Sequence, residues 1–484
     1  LAAYNVRATR GAIALSAGHV TFGNHRLLAW QFRSRGVTAD VAVGRHLTIA
    51  LASSAGSELV GWSDPFGLSR PRHRVRSTTA AIEAQPSRPG LLRLEFTALD
   101  GSLQPVPSFT QEAATDRETS RGVGAQLLAS DASQRVRLAL GVARSRFDNP
   151  RDPLLASDSS IVAVRQETRA ARFGEVTVEV LRSKTIATIP TSLTFVVRHE
   201  RSDPLYRSVA AFVQADRQQD GIDASGSAGV VQWQASLSRA RDNLDEVPSL
   251  LITRTHNYSV NAAAPVAALM RAPNAWWLPV LTIGWSAVQQ TGDSTPPNGG
   301  FRTLAQIPDQ RSGNLGTSAT WQGAQWNASY RAGRSLVDNR QPTRERADVA
   351  TITHAITLGR TLAHASFAVD LSRESLESKE LGHVAVNQRL GAQGEWSPFR
   401  HSAFAAAVTL ADARDDNATT RGRNIEMRFE VTQGFNVWVR PPDGSQARAF
   451  VRWSRAAAMQ RTAGMRQASV VQWTLDGGLS LRLF

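Results

Sequence analysis

Ile425-Glu426-Met427-Arg428-Phe429-Glu430-Val431-Thr432 alternates without a break. Ile425, Met427, Phe429 and Val431 share one parity, and Glu426, Arg428, Glu430 and Thr432 share the other. Successive side chains of an extended chain point to opposite faces, so this stretch predicts a strand with one apolar and one charged face. Downstream, Ala449, Val451 and Trp453 oppose Arg448, Arg452 and Ser454. The last strand sets Val471, Trp473, Leu475, Leu479, Leu481 and Leu483 on one side.

The same device runs back through the chain. Leu47, Ile49 and Leu51 oppose Thr48 and Ala50; Leu92, Leu94 and Phe96 oppose Arg93, Glu95 and Thr97. Val136, Leu138, Leu140 and Val142 oppose Arg135 and Arg137, and Leu193, Phe195 and Val197 oppose Thr194 and Arg198. Trp326, Ala328 and Tyr330 oppose Asn327, Ser329 and Arg331, and Ala365, Phe367 and Val369 oppose His364, Ser366 and Asp370.

Two kinds of connection separate these strands. Short ones are expected at Gly23-Asn24-His25, Val43-Gly44-Arg45, Asp131 to Gln134, Gln322 to Gln325, Gly359-Arg360 and Ser397 to His401. Longer, charged ones are expected around 145–159, 239–249, 289–311, 335–347, 371–380, 411–423 and 455–466. Long loops often recur at intervals of about 40 residues, room for two strands of about ten residues each with their connections. Counting hairpins gives roughly 24 strands, within a range of about 22–26. Between Asp158 and Glu200 the count is odd, so one connection near 170–190 is misassigned.

The chain has 484 residues, a formal charge of +14 and no cysteine. Disulfides, thiolate metal sites and cysteine nucleophiles are excluded, which suits an envelope or secreted protein. No apolar run reaches about 18 residues, so no transmembrane helix is expected; strands that cross a membrane leave no such run. Lys184 and Lys379 are the only lysines. An arginine bias of this size follows from a GC-rich genome or from a surface that meets polyanions. The arginines are spread through the strands without a basic tail or aromatic platform, which argues against nucleic acid. The first residue is Leu1, so a removed signal peptide or a missing upstream domain is expected.

A propeller needs a motif once per blade and a solenoid a repeat of about 20–30 residues; neither is found. A soluble sandwich gives the same alternation. Strand length, regular alternation of long and short connections, and a polar face rich in small and charged residues favour a membrane barrel. The chain resembles bacterial outer-membrane β-barrels as a class, over nearly all 484 residues. The resemblance implies one domain over 1–484: a single large transmembrane antiparallel β-barrel with short periplasmic turns and longer extracellular loops. It also implies outer-membrane lipid, lipopolysaccharide and the barrel-assembly machinery as partners. Phe484 matches the terminal aromatic that such barrels use as an assembly signal. Leu479, Leu481 and Leu483 have the opposite parity, so Phe484 turns at the rim or the signal is atypical. Trp276, Trp277, Trp438 and Trp473 are candidates for the interfacial girdle, with buried core tryptophans as the alternative.

Catalytic constellations are absent from the sequence: the ten histidines are scattered, with no His-Glu-x-x-His and no Gly-x-Ser-x-Gly. Gly122-Val123-Gly124 is a fragment that predicts nothing. Acidic clusters at Asp242, Asp245 and Glu246, at Asp412, Asp415 and Asp416, and at Glu374, Glu377 and Glu380 read as solvated loop charge ahead of calcium sites. No enzyme activity, metal or cofactor is expected. The expected lumen residues are Arg93, Arg135, Arg137, Arg198, Arg331, Arg428, Arg448 and Arg452; the expected lipid-facing residues are Leu138, Leu140, Phe195, Phe367, Phe429, Val451 and Trp453. A barrel of this size has a lumen that side chains cannot fill. Two functions fit: a conduit for anionic solutes or polymers, narrowed by the Gln289–Gln310 loop, or a sheath that anchors a partner such as a lipoprotein, an electron-transfer protein or a surface appendage.

Overall fold

The computed structural model describes residues 4–57, 64–103, 118–148, 167–248, 250–272, 274–293, 309–339, 348–380, 382–399, 401–416, 420–435, 446–462, 465–466 and 469–482. The first ten strands are β1 (Asn5–Arg10), β2 (Ile13–His25), β3 (Ala29–Val43), β4 (Leu47–Ala55), β5 (Arg74–Glu83), β6 (Leu92–Leu103), β7 (Glu118–Ser130), β8 (Val136–Asp148), β9 (Glu167–Ile186) and β10 (Ile189–Ser202). Next come β11 (Arg217–Ala228), β12 (Val231–Asp242), β13 (Thr253–Pro265), the one-turn helix α1 (Val266–Leu269) and β14 (Val280–Gly292). The last ten are β15 (Asp309–Gln322), β16 (Trp326–Asn339), β17 (Val349–Thr361), β18 (Ala365–Ser378), β19 (His383–Phe399), β20 (Ser402–Asp415), β21 (Thr420–Phe435), β22 (Gln446–Thr462), β23 (Met465–Arg466) and β24 (Val470–Arg482). The fold is all-β, as the alternation predicts, and the described residues hold 24 strands, of which β23 has two residues.

The chain forms two compact units. Unit 1 comprises Leu1–Gly226, Ser236–His256 and Thr291–Thr303; unit 2 comprises Ser227–Ala235, Asn257–Gln290 and Leu304–Phe484. In unit 1, β1 to β10 pair with their sequence neighbours, all antiparallel. In unit 2, β15 to β22 do the same, and β24 closes the run on β22.

The register converts strand alternation into a two-faced sheet. One row of direct partners in unit 2 runs Tyr330, Ile356, Leu371, Leu390, Leu410, Ile425, Ala457, Val471. The neighbouring row of the other parity runs Ser329, Thr357, Asp370, Gly391, Thr409, Glu426, Ala456, Gln472. A slip of one residue in any strand would put its apolar side chains among the polar ones, so each pairing reinforces the rest.

Several connections differ from the sequence expectation. β9 runs unbroken for 20 residues and turns at Ala187 and Thr188, both at positive φ (47° and 71°), which removes the odd strand count. Such two-residue turns usually carry Asn or Gly, so this one left no signature. Gly23 to His25 belongs to β2, and the turn is Arg26 to Leu28. Gly359 and Arg360 lie inside β17. Much of the expected loops 371–380, 411–423 and 455–466 is strand. Ladder hydrogen bonds are made by the backbone and continue where both faces turn polar. Charged partners accompany the extension, as in Arg421–Asp412 at 3.2 Å. The expected constriction at Gln289–Gln310 falls mostly outside the described residues, as do Trp438 and Phe484.

Candidate functional site

The polar face of unit 2 is the first candidate. Arg428 Nη2 and Arg452 Nε both reach Glu430 Oε2, at 2.9 and 2.8 Å. Register explains the cluster: Glu430 and Arg452 are direct partners across β21 and β22, and Arg428 is two residues along on the same face. A trough of about 580 Å³ opens beside it, walled by Asn327, Gln393, Glu395, Arg428, Glu430 and Arg448. Arg331 and Arg448 are exposed on this face. Two guanidiniums on one carboxylate leave the cluster positive.

Unit 1 is built differently, because two segments of the chain fold over the polar face of its sheet. The β2–β3 turn buries Leu27, Leu28 and Ala29 completely. The segment after β10 lies over it: Tyr206 Oη donates to Leu27 O at 2.7 Å, Ser208 Oγ to Leu28 O at 2.5 Å, and Trp30 N to Ala210 O at 3.0 Å. Ser145 Oγ donates to Arg207 O at 2.7 Å. Tyr206 is 1% exposed, and burial pushes its hydroxyl up, so it remains a donor. With Val75, Leu99 and Phe173 these residues form the core of the unit.

Glycines on the covered face make room. A Cβ at Gly101 would stand 2.1 Å from Val209 Cγ2, at Gly122 2.4 Å from Leu28 Cδ1, and at Gly124 2.7 Å from His25 Nε2. The His25 ring is fixed at both nitrogens. Nε2 donates to Val142 O at 3.1 Å and Nδ1 accepts from Leu27 N at 3.3 Å, which selects the Nε2–H tautomer. Gly122-Val123-Gly124, silent in the sequence, is thus a seat. A faint signal existed: glycines at alternate positions on a polar face, and the apolar pair Leu27-Leu28 in an expected turn region.

The expected lumen arginines all lie on the polar face, except Arg135, which sits in the turn before β8. In unit 1, Arg93 and Arg198 are paired with carboxylates. Arg93 meets Glu83 at 3.0 Å and Glu95 at 2.6 Å. Arg198 and Arg26 share Glu175, Glu200 and Asp223 at 2.9–3.4 Å. The expected lipid-facing residues lie on the opposite, apolar face: Leu140, Phe367, Phe429, Val451 and Trp453 are exposed, and Leu138 and Phe195 are half-buried. Phe429 and Trp453 are direct partners, as are Val431 and Val451. Arg455, between Met427 and Trp473, interrupts one row of this face.

Trp276, Trp277 and Trp473 are 65%, 59% and 69% exposed, against the buried-core alternative. Trp276 meets Trp326 edge-on, with centroids 5.4 Å apart, and Trp321 Nε1 donates to Trp277 O at 2.9 Å. Trp396 packs on Phe404 beside the β19–β20 turn. The aromatics near the β15–β16 and β19–β20 turns were not picked out by sequence reasoning as girdle members.

The acidic clusters act as staples. Asp242 accepts from Thr253 N at 2.5 Å, Asp245 and Glu246 meet Arg169 and Arg241, and Asp416 accepts from Val384 N at 3.0 Å. Among the described residues, no group of three or more His, Asp or Glu could hold a metal ion.

No family model matches the chain, and no curated protein does. Among solved structures, OmpT, an outer membrane protein of Vibrio cholerae, is similar in two forms. The trimer form gives a TM-score of 0.26 at 10% identity, covering 56% of this chain and 93% of that one. The second gives 0.25 at 10% identity, covering 67% and 100%.

Proposed function

We propose that the chain is a transmembrane β-barrel of the bacterial outer membrane and works as a conduit for hydrophilic anionic solutes. Support for membrane placement comes from the apolar face. Aliphatic and aromatic side chains stand exposed in registered rows across adjacent strands, far beyond the apolar patch that a soluble monomer leaves in water. From Phe404 to Leu410 along β20, or Ala365 to Leu371 along β18, the apolar run covers about 20 Å of strand, about 15 Å of depth at the tilt of such barrels and over half of their apolar band of about 25 Å. The exposed tryptophans suit an interfacial girdle.

The observation that carries the conduit is the charged trough of unit 2. A sheathed partner would need apolar surface to bury, and in unit 2 most large apolar side chains are on the other face. Anion preference would arise in unit 2, from Arg331, Arg448 and the Arg428–Glu430–Arg452 cluster, because Arg93 and Arg198 of unit 1 are paired with carboxylates. The segments buried over the unit 1 face would narrow the passage there. The test is single-channel recording of the purified chain in a planar bilayer, with reversal potentials under a KCl gradient. A conducting, anion-preferring chain whose preference falls in R331A/R448A supports the conduit. Silence from a chain that co-purifies with a stoichiometric partner favours the sheath.

A further inference from the structure

On the apolar face of unit 1, three arginines gather at one end of a groove. Arg172 and Arg201 are direct partners across β9 and β10, and Arg144 lies on β8 opposite Ala170. Like charges placed directly opposite on neighbouring strands repel, and an antiparallel pair holds their Cβ atoms about 4.5–5.5 Å apart. Among the described residues, neither Arg144 nor Arg172 has a carboxylate within 4 Å; Arg201 has Asp203 at 3.9 Å, and Asp203 is already accepting from Ala170 N at 3.2 Å. Among the described residues, the charge of Arg144 and Arg172 is therefore left without a carboxylate partner, and Asp203, beside Arg201, is the acid that lines the groove.

The groove itself is apolar, with a volume of about 690 Å³. Phe96, Val123 and Val142 form its walls, and Ala125 and Ala170 its floor, where small side chains leave the depth. Along β8 the sequence of outward residues is Leu138, Leu140, Val142, Arg144, so the apolar part ends at the arginines. The arginines lie at the end of β8, β9 and β10 that leads to the longer connections, 149–166 and 203–216. An occupant must combine acyl chains with an anionic head large enough to engage two or three guanidiniums.

We infer that this groove binds a membrane lipid bearing a phosphomonoester, with its acyl chains along Phe96, Val123 and Val142 and its phosphate between Arg144, Arg172 and Arg201. Guanidinium forks bind phosphate bidentately, and phosphate between Arg172 and Arg201 relieves their repulsion. The inference rests on the proposal that the apolar face meets lipid.

The experiment uses the full chain, wild type and R144A/R172A, in detergent with diphosphoryl lipid A, its dephosphorylated form, or inorganic phosphate, read by native mass spectrometry. Both arginines are exposed, so the double variant should fold; R389A, on the polar face of unit 2, is the control. Expected is retention of diphosphoryl lipid A about tenfold or more above the dephosphorylated lipid, lost in R144A/R172A and kept in R389A. Equal retention by R144A/R172A overturns the site. Displacement by millimolar inorganic phosphate alone overturns the lipid as its ligand. Each sample is also reconstituted into bilayers: a chain that inserts and conducts but fails the lipid test loses only this inference, whereas a chain that never inserts loses the membrane reading with it.

Discussion

Tyr206→Phe tests how the polar face of unit 1 is covered. The substitution keeps the ring that fills the core and removes only the hydroxyl that donates to Leu27 O at 2.7 Å. A hydrogen bond of this kind is worth about 0.5–1.5 kcal/mol net, and stranding the buried partner carbonyl costs about 1–3 kcal/mol. Leu27 is fully buried, so water does not replace the donor while the segment stays docked. The docked state should lose about 1–3 kcal/mol, a factor of roughly 5 to 150 in its opening equilibrium. Amide hydrogen exchange followed by mass spectrometry reads this directly. Peptides covering 25–30 and 203–213 should exchange faster by that factor, with peptides from β18 to β20 as the internal reference. If the segment also narrows the passage, single-channel conductance rises in the same variant. Unchanged exchange at both 25–30 and 203–213 would show that the Tyr206 hydroxyl does not hold them together.

Gly124→Val places a Cβ 2.7 Å from His25 Nε2 and should destabilise the seated β2–β3 turn by about 1–3 kcal/mol, checked by the same exchange experiment. Glu430→Gln leaves Arg428 and Arg452 without their shared carboxylate, so reversal potentials should shift further toward anion preference; a shift toward cations would contradict the proposed lining. Val451→Arg, on the apolar face beside Val431, should cost about 2–4 kcal/mol near the membrane midplane and lower the yield of folded protein in refolding assays into lipid. Asp131 is held at about 2, below its ordinary 3.8, chiefly by the Ser133 hydroxyl and the Val136 N–H, with burial opposing. Its folded pKa is depressed, so its support of the β7–β8 turn is complete above about pH 4 and fades as pH falls toward 2; protection of the Ser133 and Val136 amides, relative to their intrinsic exchange at each pH, should fall over that window, and Asp131→Ala should abolish the dependence.

The two-faced strands were legible in the sequence because a period of two is a local property. Ile425 to Thr432 assigns its own faces without help from any neighbour, and so do Leu138, Leu140 and Arg137. Strand ends were less legible. Beyond Leu371 or Leu410 the side chains turn polar on both faces, while the backbone ladder that continues there carries no side-chain signal. The Ala187-Thr188 turn was hidden for a related reason, since its positive φ angles fall on residues that rarely adopt them. Which charges meet, and what covers them, follows from pairing between distant segments. Arg93 and Glu83 are ten residues apart and pair through the β5–β6 register; Tyr206 and Leu27 are 179 residues apart. Local alternation alone suffices for an all-β chain with an apolar and an arginine-rich face. Long-range pairing brings Arg93 and Arg198 onto carboxylates, seats a buried turn on Gly101, Gly122 and Gly124, and makes Arg144, Arg172 and Arg201 converge, because each depends on strand register and on long-range contact, which no local period encodes.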